Sequence, residues 1–114
     1  MKIQNINNAV YELKKNLQCE IGNEIKIIIF GSAARGDCDS ESDIDILVLI
    51  PGIADNKTEE KIIGIAYDIE LRLNVVFGII VHSYEFWNSG LASAMPLYKN
   101  IEREGRVVWA IKPN

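Results

Sequence analysis

The stretch Ile25 to Ile50, IKIIIFGSAARGDCDSESDIDILVLI, decides the fold. Ile25, Ile27, Ile28, Ile29 and Phe30 make a β-branched and aromatic run short enough to be a buried strand. Leu47, Val48, Leu49 and Ile50 make a second one, stopped by Pro51 and Gly52. Between them lie Gly31-Ser32, a polar loop through Gly36, Asp37, Asp39 and Ser40, and two aspartates, Asp43 and Asp45, where the second strand begins. A rigid sheet would hold these polar groups still, so the chemistry is expected here.

Upstream, Val10, Leu13, Leu17 and Ile21 fall at helical spacing around Asn7 to Gln18, with Lys14 and Lys15 outward and Gly22-Asn23 as the stop. Downstream, Thr58 followed by Glu59 and Glu60 resembles a helix start, with acids at the positive end of the dipole. Ile62, Ala66, Ile69 and Leu73, widened by Ile65, form one apolar stripe of that helix, which ends at Asn74. Val75 to Val81 reads as a third strand, apolar enough to be buried on both faces. Ser83 caps a short helix through Phe86 and Trp87, and a connector follows. Pro96 starts a last helix, Leu97 to Glu104, closed by Gly105. Val107 to Ile111 is a short strand at a sheet edge. The order helix, strand, strand, helix, strand, helix, strand predicts one α/β (α+β) domain over 1–114, a mixed central sheet flanked by helices.

A length of 114 residues supports one hydrophobic core with little room for a second lobe. The formal charge of −4 argues against a general nucleic-acid surface, which needs clustered Lys and Arg. Carboxylates can still face a nucleotide when metal ions lie between. No apolar run approaches membrane-spanning length, and MKIQNINN has no signal core, so a cytoplasmic location without membrane contact is expected. Cys19 and Cys38 lack metal-ligand spacing and read as free thiols.

Asp43 and Asp45 stand two apart at a strand mouth, so both carboxylates project on one side while Ile44 and Ile46 take the other. Two acids that close repel, and a hard divalent cation between them relieves the repulsion. Mg²⁺ takes one or two carboxylates plus phosphate oxygens and water, which suits this pair. Gly31-Ser32 supplies the other half. A helical turn beginning there would point free N–H groups and the Ser32 hydroxyl beyond the strand end, and Gly31 would let the backbone come close. The glycine spacing Gly31 to Gly36 also matches a P-loop, but Asp37 and Cys38 stand where that loop needs Lys and Ser or Thr, which excludes it. Arg35-Gly36-Asp37 matches an adhesion tripeptide that has no meaning in a cytosolic chain.

Taken together, Gly31-Ser32 and Asp43-Ile44-Asp45 in the pattern G-S-x10-D-x-D resemble the DNA polymerase β-like nucleotidyltransferase superfamily. More narrowly, GSAARGDCDSESDIDILV resembles its minimal nucleotidyltransferases. The resemblance implies a nucleotidyltransferase fold in which Gly31, Ser32 and Arg35 face the nucleotide and Asp43 and Asp45 hold Mg²⁺. It implies transfer of a nucleoside monophosphate, AMP first, from an NTP to an acceptor hydroxyl. It also implies a partner, since such proteins pair as antitoxins with HEPN-type ribonuclease toxins and some modify a toxin tyrosine with AMP. Homo-oligomer formation stays open. The family pattern has a third carboxylate on a later strand, yet Leu71 through His82 contains no Asp or Glu. Glu70, Glu85 and His82 are the nearby substitutes to weigh. A catalytically degenerate, partner-binding module is therefore the alternative to an active transferase.

The remaining polar residues carry plainer expectations. Arg35 is divided between a phosphate and a salt bridge to Asp37 or Asp39. Ser42 reads as a local cap ordering Asp43, and His82 as structural. Phe86, Trp87 and Trp109 read as core, and Glu102, Arg103, Glu104 and Arg106 as a solvated helix end.

Overall fold

A computed structural model describes residues 3–36 and 43–108. The expectations for Asp37, Cys38, Asp39, Ser42 and Trp109, and most of the terminal strand, lie outside the described residues. The chain opens with helix α1, Ile3–Glu20, followed by strand β1, Lys26–Phe30. A five-residue helix α2, Gly31–Arg35, leads to strand β2, Ile44–Ile50. Helix α3, Asn56–Leu73, crosses over to strand β3, Phe77–Ser83. Two single turns follow, α4 at Tyr84–Trp87 and α5 at Gly90–Ser93. Helix α6, Pro96–Glu104, and strand β4, Arg106–Val107, complete the described chain.

The four strands form one sheet in the order β3-β2-β1-β4. Strand β1 runs antiparallel to β2, with Phe30 opposite Asp45, and β3 runs parallel to β2, with Gly78 opposite Asp45. Strict alternation sorts the side chains into two cores. Ile27, Ile29, Ile44, Ile46, Val48 and Ile50 join Val10, Leu13 and Leu17 of α1 and Ile62, Ala66 and Ile69 of α3. Ile28, Leu47 and Leu49 face the other way and meet Trp87 and Ile101. Burial of a side chain of this size is worth roughly 1.5–3 kcal/mol, and Ile44, Ile46, Leu47 and Val48 are all fully buried. Strand β2 is therefore packed on both faces along most of its length. That is the right foundation for a pair of like charges.

Several expectations are corrected. Strand β3, expected to be buried on both faces, is an edge strand paired with β2 alone, and Val76 just before it is half exposed. Phe77, Ile79 and Val81 pack into one core and Ile80 against the other, with Ile79 and Ile80 only partly buried. Helix α3 starts a turn earlier than Thr58 suggests, because Asp55 is its cap. Gly105 closes α6 as expected, in an extended conformation with φ −69° and its N–H donating to the Ile101 carbonyl. The segment after Trp87 contains the turn α5, capped by Ser89 accepting from the Ala92 N–H. Ile63, Tyr67 and Leu71, at i, i+4 and i+8 along α3, are exposed beside its buried stripe. Among the described residues, no helix is long and apolar enough to cross a membrane.

The α3 cap carries a pH-dependent prediction. Asp55 accepts the Thr58 N–H at 2.8 Å, and this hydrogen bond holds its carboxyl below the ordinary carboxylate value. A depressed folded pKa means stability present above the unfolded value and lost as pH falls through the folded one. Asp55→Ala is expected to lower the thermal midpoint by a few degrees at pH 7. In acid, below the ordinary carboxylate pKa of about 3.9, the two proteins should converge. Thermal melts by circular dichroism across that range check this, and a gap independent of pH would refute it.

Candidate active site

Asp45 sits second in β2, with its backbone paired to Phe30 on one side and Gly78 on the other. Its side chain lies on the same sheet face as Leu47 and Leu49, the face covered by α6. Two glycines make room for it. Gly31 has φ +71°, a left-handed conformation that disfavours any side chain, and a Cβ there would collide with the Asp45 Oδ2. A Cβ on Gly78 would stand 2.9 Å from Oδ1 of the same carboxylate. The Asp45 carboxylate thus lies cradled between two stretches of bare backbone.

Asp43 is exposed at the mouth of β2, where the Ile44 N–H donates to the Val76 carbonyl at 2.8 Å and fixes the entry of the strand. Burial pushes the Asp45 carboxyl above the ordinary carboxylate value, and the charge of Asp43 pushes it further. The Arg35 guanidinium pulls it back, while Glu104 raises it again. The negative charge of Asp43 thus works against ionisation of Asp45. Helix α2 begins at Gly31, directly at the end of β1, and among the described residues no side chain caps its first turn. The start of α2 at Gly31 lies against the Asp45 carboxylate, and its leading N–H groups have no side-chain cap.

Arg35, the last residue of α2, has its Nη1 donating to both carboxylate oxygens of Glu104, at 3.2 and 3.1 Å. Glu104 lies 69 residues away at the end of α6. It was expected as part of a solvated helix end, yet its side chain is only 20% exposed against 48% for Arg35. No sequence signal announces it, since the pairing depends on how α6 crosses the sheet.

The substitutes for a third carboxylate fall elsewhere. Glu70 Oε2 accepts the Phe77 N–H at 2.8 Å, so Glu70 anchors the start of β3. His82 pairs in register with Leu49, four residues along from Asp45 and Gly78, or about 13 Å at strand rise. Its ring packs on Phe86, centroids 4.7 Å apart, and on Trp87. Burial holds its pKa below the usual imidazole value. With Glu85 it lines a cleft of about 490 Å³ at the opposite end of the strands. Among the described residues, no group of three His, Cys, Asp or Glu side chains could hold one metal ion. The position facing Asp45 on the neighbouring strand is Gly78, the place where a further side chain on β3 would meet the aspartate pair. A single glycine within an apolar strand was the one available hint of this close approach.

Comparison with known proteins bears on this arrangement. The nucleotidyltransferase domain family matches residues 10–108. A protein of Methanocaldococcus jannaschii named "putative protein adenylyltransferase" is 36% identical over 106 residues, which cover 92% of this chain and 99% of that protein. A second protein of the same organism and name is 35% identical over 74 residues, 64% of this chain and 75% of its own length. Among solved structures, a toxin–antitoxin complex with AMP-PNP contains a chain similar at TM-score 0.61 and 24% identity, over 91% of this chain and 73% of that one. A complex of tri-AMPylated Shewanella oneidensis HEPN toxin with MNT antitoxin matches at TM-score 0.53 and 19% identity, over 94% and 72% respectively. At these identities the structural likeness is one of fold.

Proposed function

The chain belongs to the nucleotidyltransferase domain family, and from that premise we propose that it binds Mg²⁺-ATP and transfers AMP to a hydroxyl of a partner protein. One observation carries the reading: the Asp45 carboxylate is cradled by Gly31 and Gly78 at the mouth of a fully buried strand, with Asp43 beside it. The donor set fits a hard divalent cation, being two carboxylates two residues apart, one of which has its pKa raised by its burial and by the charge of the other. In this reading Asp43 and Asp45 hold Mg²⁺, and Gly31 and Ser32 face the triphosphate. Bound there, Mg²⁺ neutralises charge that develops on the phosphoryl oxygens.

The protein's own contribution is positioning. Bare backbone at Gly31 lets the start of α2 lie directly against the Asp45 carboxylate, which β2 fixes, so that phosphates bound at α2 would meet the metal held there. The acceptor oxygen forms a bond to the α-phosphorus, the bond to the bridging oxygen breaks, and pyrophosphate leaves. The acceptor proton passes to water or to a group of the partner, since Glu70 is engaged with Phe77 and His82 stands at the far end of the sheet. The names of the two Methanocaldococcus jannaschii relatives and of the HEPN toxin complex favour a protein acceptor, with a HEPN-type toxin first among candidates. A cytoplasmic location suits an ATP-dependent reaction.

Gly78 favours a second reading. With no carboxylate facing Asp45 from β3, the chain could bind nucleotide and partner without transfer. One experiment separates the two. Calorimetry should show Mg²⁺-ATP binding by the wild type and none by Asp43→Ala/Asp45→Ala. Incubation with α-labelled ATP and the protein encoded by the neighbouring gene then reads transfer directly. Covalent label that depends on Asp45 supports the transferase, and a stable complex without label supports the binding module. Equal nucleotide binding by the wild type and the double variant would sink both.

A further inference from the structure

We propose that Glu70 is a positioning residue for the aspartate pair: its carboxylate holds one peptide plane at the start of β3, and that plane holds the peptide joining Asp43 to Ile44. The inference rests on the reading of Asp43 and Asp45 as the metal site. Its own support is a chain of two hydrogen bonds through a single peptide unit. Glu70 Oε2 accepts the Phe77 N–H at 2.8 Å. The carbonyl of the same unit belongs to Val76, and it accepts the Ile44 N–H at 2.8 Å. In a trans peptide the N–H and the C=O point opposite ways, so this unit is gripped from both sides. Hydrogen bonds in such a chain polarise one another, and the first bond strengthens the second.

Both ends of the chain are anchored. Glu70 lies in the last turn of α3, where its backbone carbonyl accepts the Asn74 N–H and, at 3.3 Å, the Val75 N–H. One residue thus ties down the whole connection from α3 to β3. Val75 and Phe77 are buried and keep the segment in place, whereas Val76 between them is half exposed, so its side chain does little to orient its carbonyl. At the other end Ile44 is fully buried and Asp43 before it is exposed. Asp45 is placed by its register with Phe30 and Gly78. Asp43 lies one residue before β2, and the Ile44–Val76 bond ties the peptide that follows it to the sheet. Mg²⁺ demands near-ideal geometry, so a rotation of that peptide would carry the Asp43 carboxylate away from the spacing a shared cation needs.

Mn²⁺ serves as the probe, since it accepts the same oxygen ligands as Mg²⁺ and its binding is read from water-proton relaxation without nucleotide or turnover. Glu70→Gln keeps a side-chain oxygen as acceptor and removes the charge, while Glu70→Met fills similar space with no comparable acceptor. The Gln variant should bind Mn²⁺ within about threefold of the wild type, and the Met variant about tenfold more weakly, the size of an outer-shell effect. In the metal-free protein the Ile44 amide, followed by NMR, should exchange with solvent about tenfold faster in the Met variant than in the other two. Equal weakening of Mn²⁺ binding by Gln and Met would mean that Glu70 acts through its charge, and the proposal would fail. Wild-type affinity in a folded Met variant would reduce Glu70 to an anchor of β3 and overturn the proposal, leaving the metal-site reading intact. The wild type alone gives a check that no misfolded variant can spoil. Its Phe77 amide, turned away from β2, should be as protected from exchange as that of Ile44, and rapid exchange there would overturn the proposal. Failure of the wild type to bind Mn²⁺ would overturn both readings.

Discussion

Asp45→Asn is expected to make the metal-free protein more stable and nearly abolish its binding of Mg²⁺-ATP. Most substitutions at a largely packed position destabilise, so the sign is diagnostic. The Asp45 carboxyl is raised above its ordinary pKa by burial first and by Asp43 second. A group with a raised folded pKa is best accommodated when protonated. Its stability contribution is complete below the unfolded pKa and is lost as pH rises through the folded value. At neutral pH the wild type therefore carries an ill-tolerated charge, and the neutral amide removes it with almost no change of shape. The thermal midpoint of Asp45→Asn should exceed that of the wild type at pH 7 and merge with it in acid. If Asp45 is a direct ligand as proposed, its loss should weaken Mg²⁺-ATP binding by at least about 100-fold, since even outer-shell changes cost 10–100-fold. A variant that is less stable at pH 7 and binds nucleotide normally would show that Asp45 is an ordinary structural carboxylate.

The trade between stability and chemistry also explains what could be read from the sequence. The β1 and β2 runs, the α1 and α3 stripes and the caps at Asn74 and Ser83 are all local. Each is set by side-chain period or by a hydrogen bond within four residues, so each was visible in the string. Asn74 adopts φ 55° and closes α3, and Ser83 accepts the Phe86 N–H. The position of β3 in the sheet was not local. Its apolar composition fits a central or an edge strand, and only the tertiary arrangement, which pairs it with β2 alone, decides. Period-2 patterning says which face is buried but not how many neighbours a strand has.

The site divides along the same line. Gly31, Ser32, Asp43 and Asp45 lie within fifteen residues, and a hairpin-like antiparallel pair brings them together by register. Gly78 and Glu104 come from distant segments. Gly78 reaches Asp45 through the parallel register of β2 and β3, and Glu104 reaches Arg35 across 69 residues. Neither registration can be counted off a sequence. The expectation that Arg35 is divided between phosphate and a nearby aspartate had left out a partner of this kind.

Gly78→Asp is expected to give the largest change in function. Gly78 is opposite Asp45 on β3 and its φ is not among the positive values, so the backbone accepts a side chain. The one obstacle to a Cβ is Asp45 Oδ1 at 2.9 Å, the far end of a side chain that can turn aside. A carboxylate at 78 would meet the aspartate pair from the neighbouring strand and supply the group that the family pattern places there. Without metal, three close carboxylates repel, and the thermal midpoint should fall below that of the wild type. Saturating Mg²⁺ should reverse this and raise the midpoint more than it does for the wild type, because a ligand stabilises in proportion to its affinity for the folded state. If acceptor activation limits transfer, the rate of AMP attachment should rise on the order of 10²-fold or more, the size typical of a positioned acid–base group. Gly78→Asn is the control, since it brings the same bulk without the charge. Mg²⁺-dependent melting and label transfer, run on the three proteins, decide the matter. Equal behaviour of the Asp and Asn variants would show that the gap at Gly78 is space for Asp45 to pack, and not the place of a missing ligand.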